Sequence, residues 1–344
     1  MKSIIKNFYP SWFVVCMGTG IMANLFMAIG FKRLSYIAAL LNFVFFIIIF
    51  AIWLVRWFVA FDGVVKDIKN PLISNYFATM PISLLILGAN VIINQEYFGR
   101  QFSQSFAVFS YIAGLLLMTV FSVMTFIVHL SHTEIPNYAL NFAYFMPPVG
   151  NLIVTILGNE LVNRNAISES YQSLVVFINS AMFGLGFMLF LAYLPVIKGR
   201  FLLYEPIERS HFPTMFILLA PVGASIVALQ GLENSFKNLK ILSDGFVFDI
   251  ISYFLWGFGA WILISLIILL IIYINKKLPF SLAYWAFVFP VGIYVLASIK
   301  INMSLHFNFL NVFSKISVWI LFAVWIINFI LTIINVANKK LLTR

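Results

Sequence analysis

The chain has 344 residues, of which 63% are hydrophobic and only 9% are charged. Soluble domains carry about 25% charged residues, so water cannot be the main solvent of this surface. The net charge of +10 comes from basic residues in short loops, which indicates membrane topology and not nucleic-acid binding. The single cysteine, Cys16, excludes an intrachain disulfide, and no Cys/His cluster predicts a metal site or a cofactor.

Ten apolar segments follow one another along the chain, and several reach the twenty residues that a hydrocarbon core of about 30 Å requires. The first is interpreted as a span and not as a signal peptide, because it lacks a small-residue cleavage site. The sequence therefore predicts an all-α membrane protein with a single transmembrane domain over 1–344. Its spans are expected at 11–30, 35–58, 72–94, 106–129, 138–158, 172–195, 211–231, 247–274, 281–302 and 315–336.

The distribution of lysine and arginine predicts the orientation. An even number of spans puts both termini on one side. The termini and the loops after even-numbered spans hold thirteen basic residues, and the opposite loops hold seven. Because short cytoplasmic loops are enriched in basic residues, we expect a multi-pass protein of the cell membrane with both termini in the cytoplasm.

The prolines repeat along the chain. Pro81, Pro148, Pro221 and Pro290 lie inside odd-numbered spans, and Pro10 lies at the mouth of the first, with separations of 71, 67, 73 and 69 residues. The last three prolines open a Pro-Val-Gly tripeptide that ends at Gly150, Gly223 and Gly292. The even-numbered spans show no interior proline. A fixed period indicates a repeated unit, here a helical hairpin of about 70 residues that occurs five times.

Successive hairpins of two spans enter the membrane in the same direction, so five of them can close into a ring. Proline frees a backbone carbonyl, which in hydrocarbon must face protein or a cavity. We therefore predict that the odd spans line a central pore and that the more hydrophobic even spans lie outside them. The glycine pairs Gly184/Gly186 and Gly257/Gly259 of the even spans are expected to allow close packing on the inner helices. The candidate breaks in the pore helices are Gly18, Gly20, Pro81, Pro148, Gly150, Pro221, Gly223, Pro290 and Gly292.

The positions of the charges favour an anionic substrate. All eleven acidic residues fall in loops or at span ends, whereas cation channels and proton relays keep a carboxylate in the membrane. The most deeply placed charge is Lys300, about 15 Å past Pro290 along a helix. It is either a residue that attracts anions or a lysine that snorkels to the outer membrane face.

Two stretches carry a family resemblance. They are FYPSWF at 8–13 followed by MGTG at 17–20, and AYWAFVFPVG at 283–292. Together with the span number and the repeat spacing, they resemble the tellurite-resistance/dicarboxylate transporter family, over essentially the whole chain. This family includes fungal malate permeases, sulfite exporters, the bacterial tellurite-resistance protein and plant slow anion channels, and the MGTG opening is most similar to the malate and sulfite branch.

The resemblance implies ten helices in five hairpins, a homotrimer with one pore per subunit, and a phenylalanine of the ninth helix that plugs the pore. Phe289 is the best match to that plug, with Phe287 as the alternative. The expected substrates are small anions such as malate, sulfite or inorganic anions, and the expected partners are these anions and the lipid bilayer.

Three other functions compete with anion transport through a gated pore. A proton-coupled carrier for organic acids stays open, because a protonated substrate needs no carboxylate from the protein. An intramembrane enzyme would need a cluster of catalytic or metal-binding side chains within the membrane, and the sequence offers no catalytic residues. A receptor or scaffold would normally append soluble domains, and the longest loops are under twenty residues.

Overall fold

The computed structural model describes residues 5–204, 209–274 and 279–341. Regular structure within these residues is helical, and ten helices are long and apolar enough to cross a membrane. The predicted all-α fold with ten spans is therefore confirmed. The spans are α1 Pro10–Ala28, α2 Lys32–Val59, α3 Ile73–Ile93, α4 Arg100–Ser131, α5 Phe142–Asn163, α6 Glu169–Leu203, α7 His211–Asn238, α8 Phe246–Tyr273, α9 Leu282–Leu305 and α10 Asn308–Ala337.

Several even spans are longer than the sequence predicts. α4 begins six residues earlier than expected, and α6 continues to Leu203 instead of ending at residue 195. Hydropathy marks the part of a helix that lies in hydrocarbon, whereas the helix itself continues into the polar interface. The extension puts Pro195 inside α6, so the expectation that no even span contains an interior proline is wrong there.

Each odd span is built from a 3₁₀ segment followed by an α-helix. The 3₁₀ segments are Pro10–Phe13, Ile73–Ala78, Phe142–Phe145, Arg209–Leu218 and Leu282–Phe287. Pro81, Pro148, Pro221 and Pro290 each occupy one of the first three positions of the α-helix that follows. A proline lacks the N–H that an α-helix would bond to the carbonyl four residues earlier, but its fixed φ suits a first turn. The repeated prolines thus lie where the helix type changes.

The odd spans contact one another in a closed circuit, α1 to α3 to α5 to α7 to α9 and back to α1. Each even span packs on the odd span before it and on the next odd span, and α10 packs on α9 and α1. In an apolar stretch of 18 residues taken from each span, 61% to 89% of the residues are buried in the odd spans, against 17% to 39% in the even spans. The odd spans therefore form the interior and the even spans surround it, an arrangement that supports the predicted five hairpins.

Polar side chains of the odd spans mainly tie one span to the next. Asn90 in α3 donates its amide to the carbonyl of Gly20 in α1 at 2.9 Å, and Asn159 in α5 donates to Ala228 in α7 at 3.2 Å. Asn90 also accepts a hydrogen bond from Asn42 in α2 at 2.9 Å. In hydrocarbon such groups must find partners within the protein, so most polar residues of the interior serve as links between helices.

The repeated glycines let the spans approach closely. At Gly223 of α7, a Cβ atom would lie 2.6 Å from the main-chain nitrogen of Tyr294 in α9. The other candidate glycines also pack on neighbouring spans: Gly18 on Trp285, Gly20 on Ile86, Gly150 on Met118 and Gly292 on Ile21. In the even spans the second glycine of each pair packs inward, Gly186 on α5 and Gly259 on α9, while Gly184 and Gly257 face open space.

Candidate transport pathway

A cavity of about 430 Å³ opens at the N-terminal ends of the odd spans, and we call it the vestibule. All five odd spans contribute to its wall, which requires their N-terminal ends to point into one space. The lining includes Tyr9 and Met17 at α1, Leu72 and Tyr76 at α3, Asn141 and Met146 at α5, His211 and Thr214 at α7, and Trp285 and Phe289 of α9. The inner spans are therefore parallel to one another around a common axis.

The vestibule wall combines apolar side chains with neutral hydroxyl and amide groups. None of the described residues that line it is a lysine, an arginine or an acid, and its one imidazole belongs to His211. Asn141 also caps a 3₁₀ segment, because its Oδ1 accepts the amide of Ala143 at 2.9 Å. The positive ends of five helix dipoles point towards this space, so its field favours negative charge.

Phe289 is shared by the vestibule and a second, smaller cavity whose wall comes from α1, α3, α5 and α9. Its buried side chain lines both spaces. The smaller cavity has a volume of about 20 Å³, which is about the space that one water molecule needs. Apart from Asn24 its wall is apolar, formed by Ile21, Leu85, Ile86, Ala89, Ile153, Ile156, Leu157, Phe289, Ile293 and Leu296. The pathway therefore narrows sharply at and beyond Phe289.

The alternative gate residue, Phe287, has different surroundings. Its ring packs on Phe216 with a centroid distance of 4.8 Å and on Tyr284 at 5.5 Å, and it lines neither cavity. Pro290 lines the vestibule, while Pro81, Pro148 and Pro221 line neither cavity. The role of Phe289 stays a prediction, and of the two candidates it is the one that lines both cavities.

Lys300 lies beyond the smaller cavity, at the end of the spans opposite the vestibule. Its Nζ is 3.8 Å from Oε1 of Glu160, whose Oε2 accepts a hydrogen bond of 2.9 Å from Nε of Arg164. The sequence placed Glu160 in a loop or at a span end, beyond the predicted span 138–158, but α5 continues to Asn163 and includes it. Attraction of anions by Lys300 stays a prediction, and the structure adds a carboxylate partner that the sequence had not paired with it.

The sequence also missed the vestibule residues other than Phe289 and Pro290, because each of them lies alone in its own stretch. A signal was nevertheless present for two of them: Tyr76 precedes Pro81 by five residues, and Trp285 precedes Pro290 by five. Equivalent positions in a repeat meet around the axis once the ring closes. Among the residues that the structure describes, His, Cys, Asp and Glu form no group that could hold a metal ion.

Comparison with known proteins assigns the family. A family model described as voltage-dependent anion channel matches residues 7–333. The chain is 31% identical to an uncharacterized transporter of Methanocaldococcus jannaschii, over 99% of this chain and 98% of that protein. It is 24% identical to the sulfite efflux pump of Trichophyton rubrum, over 98% and 93%, and 23% identical to the malic acid transport protein of Schizosaccharomyces pombe, over 94% and 77%.

These relatives confirm the resemblance that the two sequence stretches carried, including its malate and sulfite branch. They also agree with the prediction that the chain is not an enzyme. The chain belongs to the voltage-dependent anion channel family, whose members are transporters and channels.

Proposed function

We propose that the chain moves small anions across the membrane along the axis of α1, α3, α5, α7 and α9, with Phe289 as the gate. One observation carries the proposal: all five odd spans contribute residues near their N-terminal ends to one vestibule, and Phe289 lines both this vestibule and the smaller cavity. With both termini predicted to be cytoplasmic, the vestibule opens to the cytoplasm.

The electrostatics of the cavity walls favour a substrate with negative charge. Each helix carries about half a positive charge at its N-terminal end, and five such ends face the vestibule. None of the described residues that line either cavity is acidic, whereas cation pathways are lined by carboxylates or carbonyl rings. The helix dipoles thus attract an anion, and no acidic side chain among the described lining residues repels it in either cavity.

The chemistry of the vestibule suits a small oxyanion. Tyr9 and Tyr76 place hydroxyl groups in its wall and Asn141 places an amide, and such donors form strong hydrogen bonds to ionised oxygen atoms. The relatives named for sulfite efflux and malic acid transport point to the same class. We therefore infer sulfite, malate or a similar small anion as the substrate.

The gate follows from the position of Phe289 at the start of the α-helical part of α9. An aromatic ring across a narrow apolar pathway blocks ions sterically and by excluding water. The adjoining Pro290 cannot donate a hydrogen bond to the carbonyl of Ala286, so the helix is weakened next to the ring. A small adjustment of α9 at Val288, where the 3₁₀ segment gives way to the α-helix, would move the ring off the axis.

Flux in proteoliposomes tests the function. The purified protein is given sulfite, malate, chloride or nitrate under an imposed voltage, with and without a pH gradient, and potassium flux is measured in parallel. We expect anion flux that voltage alone drives. A strict requirement for a pH gradient would instead establish the proton-coupled carrier, and potassium flux without anion flux would reject the proposal.

A further inference from the structure

Glu160 and Lys300 form an ion pair between two spans that are not neighbours in the inner circuit. Glu160 belongs to α5 and Lys300 to α9, and α7 lies between these helices in the circuit. Their side-chain atoms are nevertheless 3.8 Å apart. A bridge between non-adjacent members of a ring must reach over its interior, so this pair lies across the mouth opposite the vestibule.

The helical register of both residues agrees with this position. Ile156 of α5 and Leu296 of α9 line the small cavity beyond Phe289. Glu160 and Lys300 each follow four residues later, and residues four apart share one face of a helix. The charged pair therefore continues the two axis-facing stripes by one turn. The side chains of Glu160 and Lys300 are 27% and 33% exposed, as expected where the pathway meets solvent.

Arg164 completes the arrangement, which we call the mouth triad of Glu160, Lys300 and Arg164. Its guanidinium donates to the carboxylate of Glu160 from the residue that directly follows α5, four positions after Glu160. Two cations thus share one carboxylate, which leaves the triad with a net charge of +1. Guanidinium and ammonium groups bind oxyanions through the same hydrogen bonds that they give a carboxylate.

We propose that the mouth triad is a second gate and a binding site for small anions. An anion arriving at the mouth exchanges with the carboxylate of Glu160 on Lys300 and Arg164, and the bridge across the axis opens. The exchange keeps both cations paired, so neither is left uncompensated. This inference rests on the proposed function, and it assigns Glu160 as the residue that holds the mouth closed.

Removing the carboxylate tests the gate. Glu160→Gln is expected to raise voltage-driven anion flux in proteoliposomes roughly two- to fivefold, the range that the loss of a partly exposed ion pair supports. Lys300→Gln added to Glu160→Gln is expected to lower the flux again, because the mouth then loses a binding cation. Glu96→Gln is the matched control, since it breaks the exposed Lys32–Glu96 pair at 3.0 Å between α2 and the short helix Gln95–Phe98, and its flux should equal that of the wild type.

Cross-linking tests the position of the pair independently of the charge. Cys16 is the one native cysteine and is buried, so a doubly substituted Glu160→Cys/Lys300→Cys protein has two accessible thiols. A short reagent reactive at both ends is expected to join them and block flux, whereas each singly substituted protein stays conducting. Mass spectrometry establishes the cross-link, and a cross-linked protein that still conducts, or thiols that the reagent cannot join, would overturn the proposal.

Different results reject the proposed function and the proposed second gate. If neither the wild type nor Phe289→Ala passes anions, the proposed function is rejected and the mouth triad with it. If both pass anions and Glu160→Gln conducts like the wild type, only the second gate is rejected.

Discussion

Trp325 in the last span donates its indole N–H to the hydroxyl oxygen of Thr19 in the first span, at 3.1 Å. Thr19 in turn donates to the carbonyl of Val15 at 2.8 Å. The indole is held between Phe322 and Phe329, with ring centroids 6.1 and 5.3 Å away. Because α10 packs on α1 here, this hydrogen bond lies at the seam where the circuit of spans closes.

Trp325→Phe removes the donor but keeps an aromatic ring in the stack. We expect the variant to lose about 0.5–1.5 kcal/mol of stability, the usual net contribution of one hydrogen bond, measured as a lower unfolding temperature in detergent. Trp261→Phe, on the exposed surface of α8, is the control and should unfold like the wild type. Thr19→Val should show a similar loss, and the double variant should lose less than the sum. Full additivity would mean that the two residues act separately.

Gly223→Ala tests the close approach of α7 to α9. The added Cβ would lie 2.6 Å from the nitrogen of Tyr294 and 2.8 Å from the carbonyl carbon of Ile293. These are main-chain atoms that no rotamer change can move, so the two helices must separate. Overpacking of this kind costs about 1–3 kcal/mol or more, and we expect a lower unfolding temperature and a loss of monodisperse protein on size exclusion.

Gly257→Ala in α8 is the matched control for Gly223→Ala. Nothing lies within 4 Å of a Cβ at this position, so the alanine adds no clash. Alanine favours a helix over glycine by up to about 1 kcal/mol, and the control should be as stable as the wild type or more so. Equal stability of the two variants would contradict the packing of Gly223 on α9.

The sequence predicts the fold well because two of its signals act locally. Hydropathy reports where a helix lies in hydrocarbon, and a proline reports where an α-helix can begin, so Pro148, Pro221 and Pro290 mark three inner spans without any knowledge of their neighbours. Neither signal reports where a helix ends, because the part of a helix that lies in the polar interface is no longer apolar and needs no proline. The extension of α6 past Pro195 and the inclusion of Glu160 in α5 are examples.

The site is predictable only in part, because it is made by contacts between repeats. Phe289 is a candidate because of the motif that surrounds it, and its role stays a prediction. Glu160 and Lys300 follow their prolines by twelve and ten residues, yet each alone resembles an ordinary interfacial charge. Their pairing depends on the closure of the ring, which brings α5 and α9 to face each other. The vestibule residues, including His211, emerge from the same closure.

Asp67→Asn is expected to destabilise the C-terminal end of α2, which is predicted to lie on the cytoplasmic side. Nη2 of Arg56 lies 2.6 Å from Oδ2 of Asp67, with side chains 1% and 2% exposed, and Nε of Arg56 donates to the carbonyl of Lys6 at 3.2 Å. Removing the carboxylate leaves a buried guanidinium without its counter-charge, which costs about 3–5 kcal/mol. The measurement is the unfolding temperature in detergent.

The exposed pair of Lys32 and Glu96 provides the comparison for Asp67→Asn. Glu96→Gln should cost less than about 1 kcal/mol, because solvent and salt screen an exposed pair. The effect of Asp67→Asn should change little between low and high salt. A loss in Asp67→Asn as small as that in Glu96→Gln would show that the buried pair contributes no more than a surface pair.

Phe289→Ala is expected to raise anion flux roughly tenfold or more, which corresponds to about 1.4 kcal/mol off the barrier, because Phe289 lines both the vestibule and the small cavity and is the proposed gate. Phe289→Leu should give a smaller rise, since leucine fills part of the space. Phe287→Ala is the control in the same span, because Phe287 packs on Phe216 away from both cavities. The loss of a buried phenylalanine costs about 3–5 kcal/mol, so each variant must first elute as the wild type does on size exclusion. Wild-type flux in a correctly assembled Phe289→Ala protein would reject the gate, and an equal rise in Phe287→Ala would show that loosening α9, and not clearing the axis, opens the pathway.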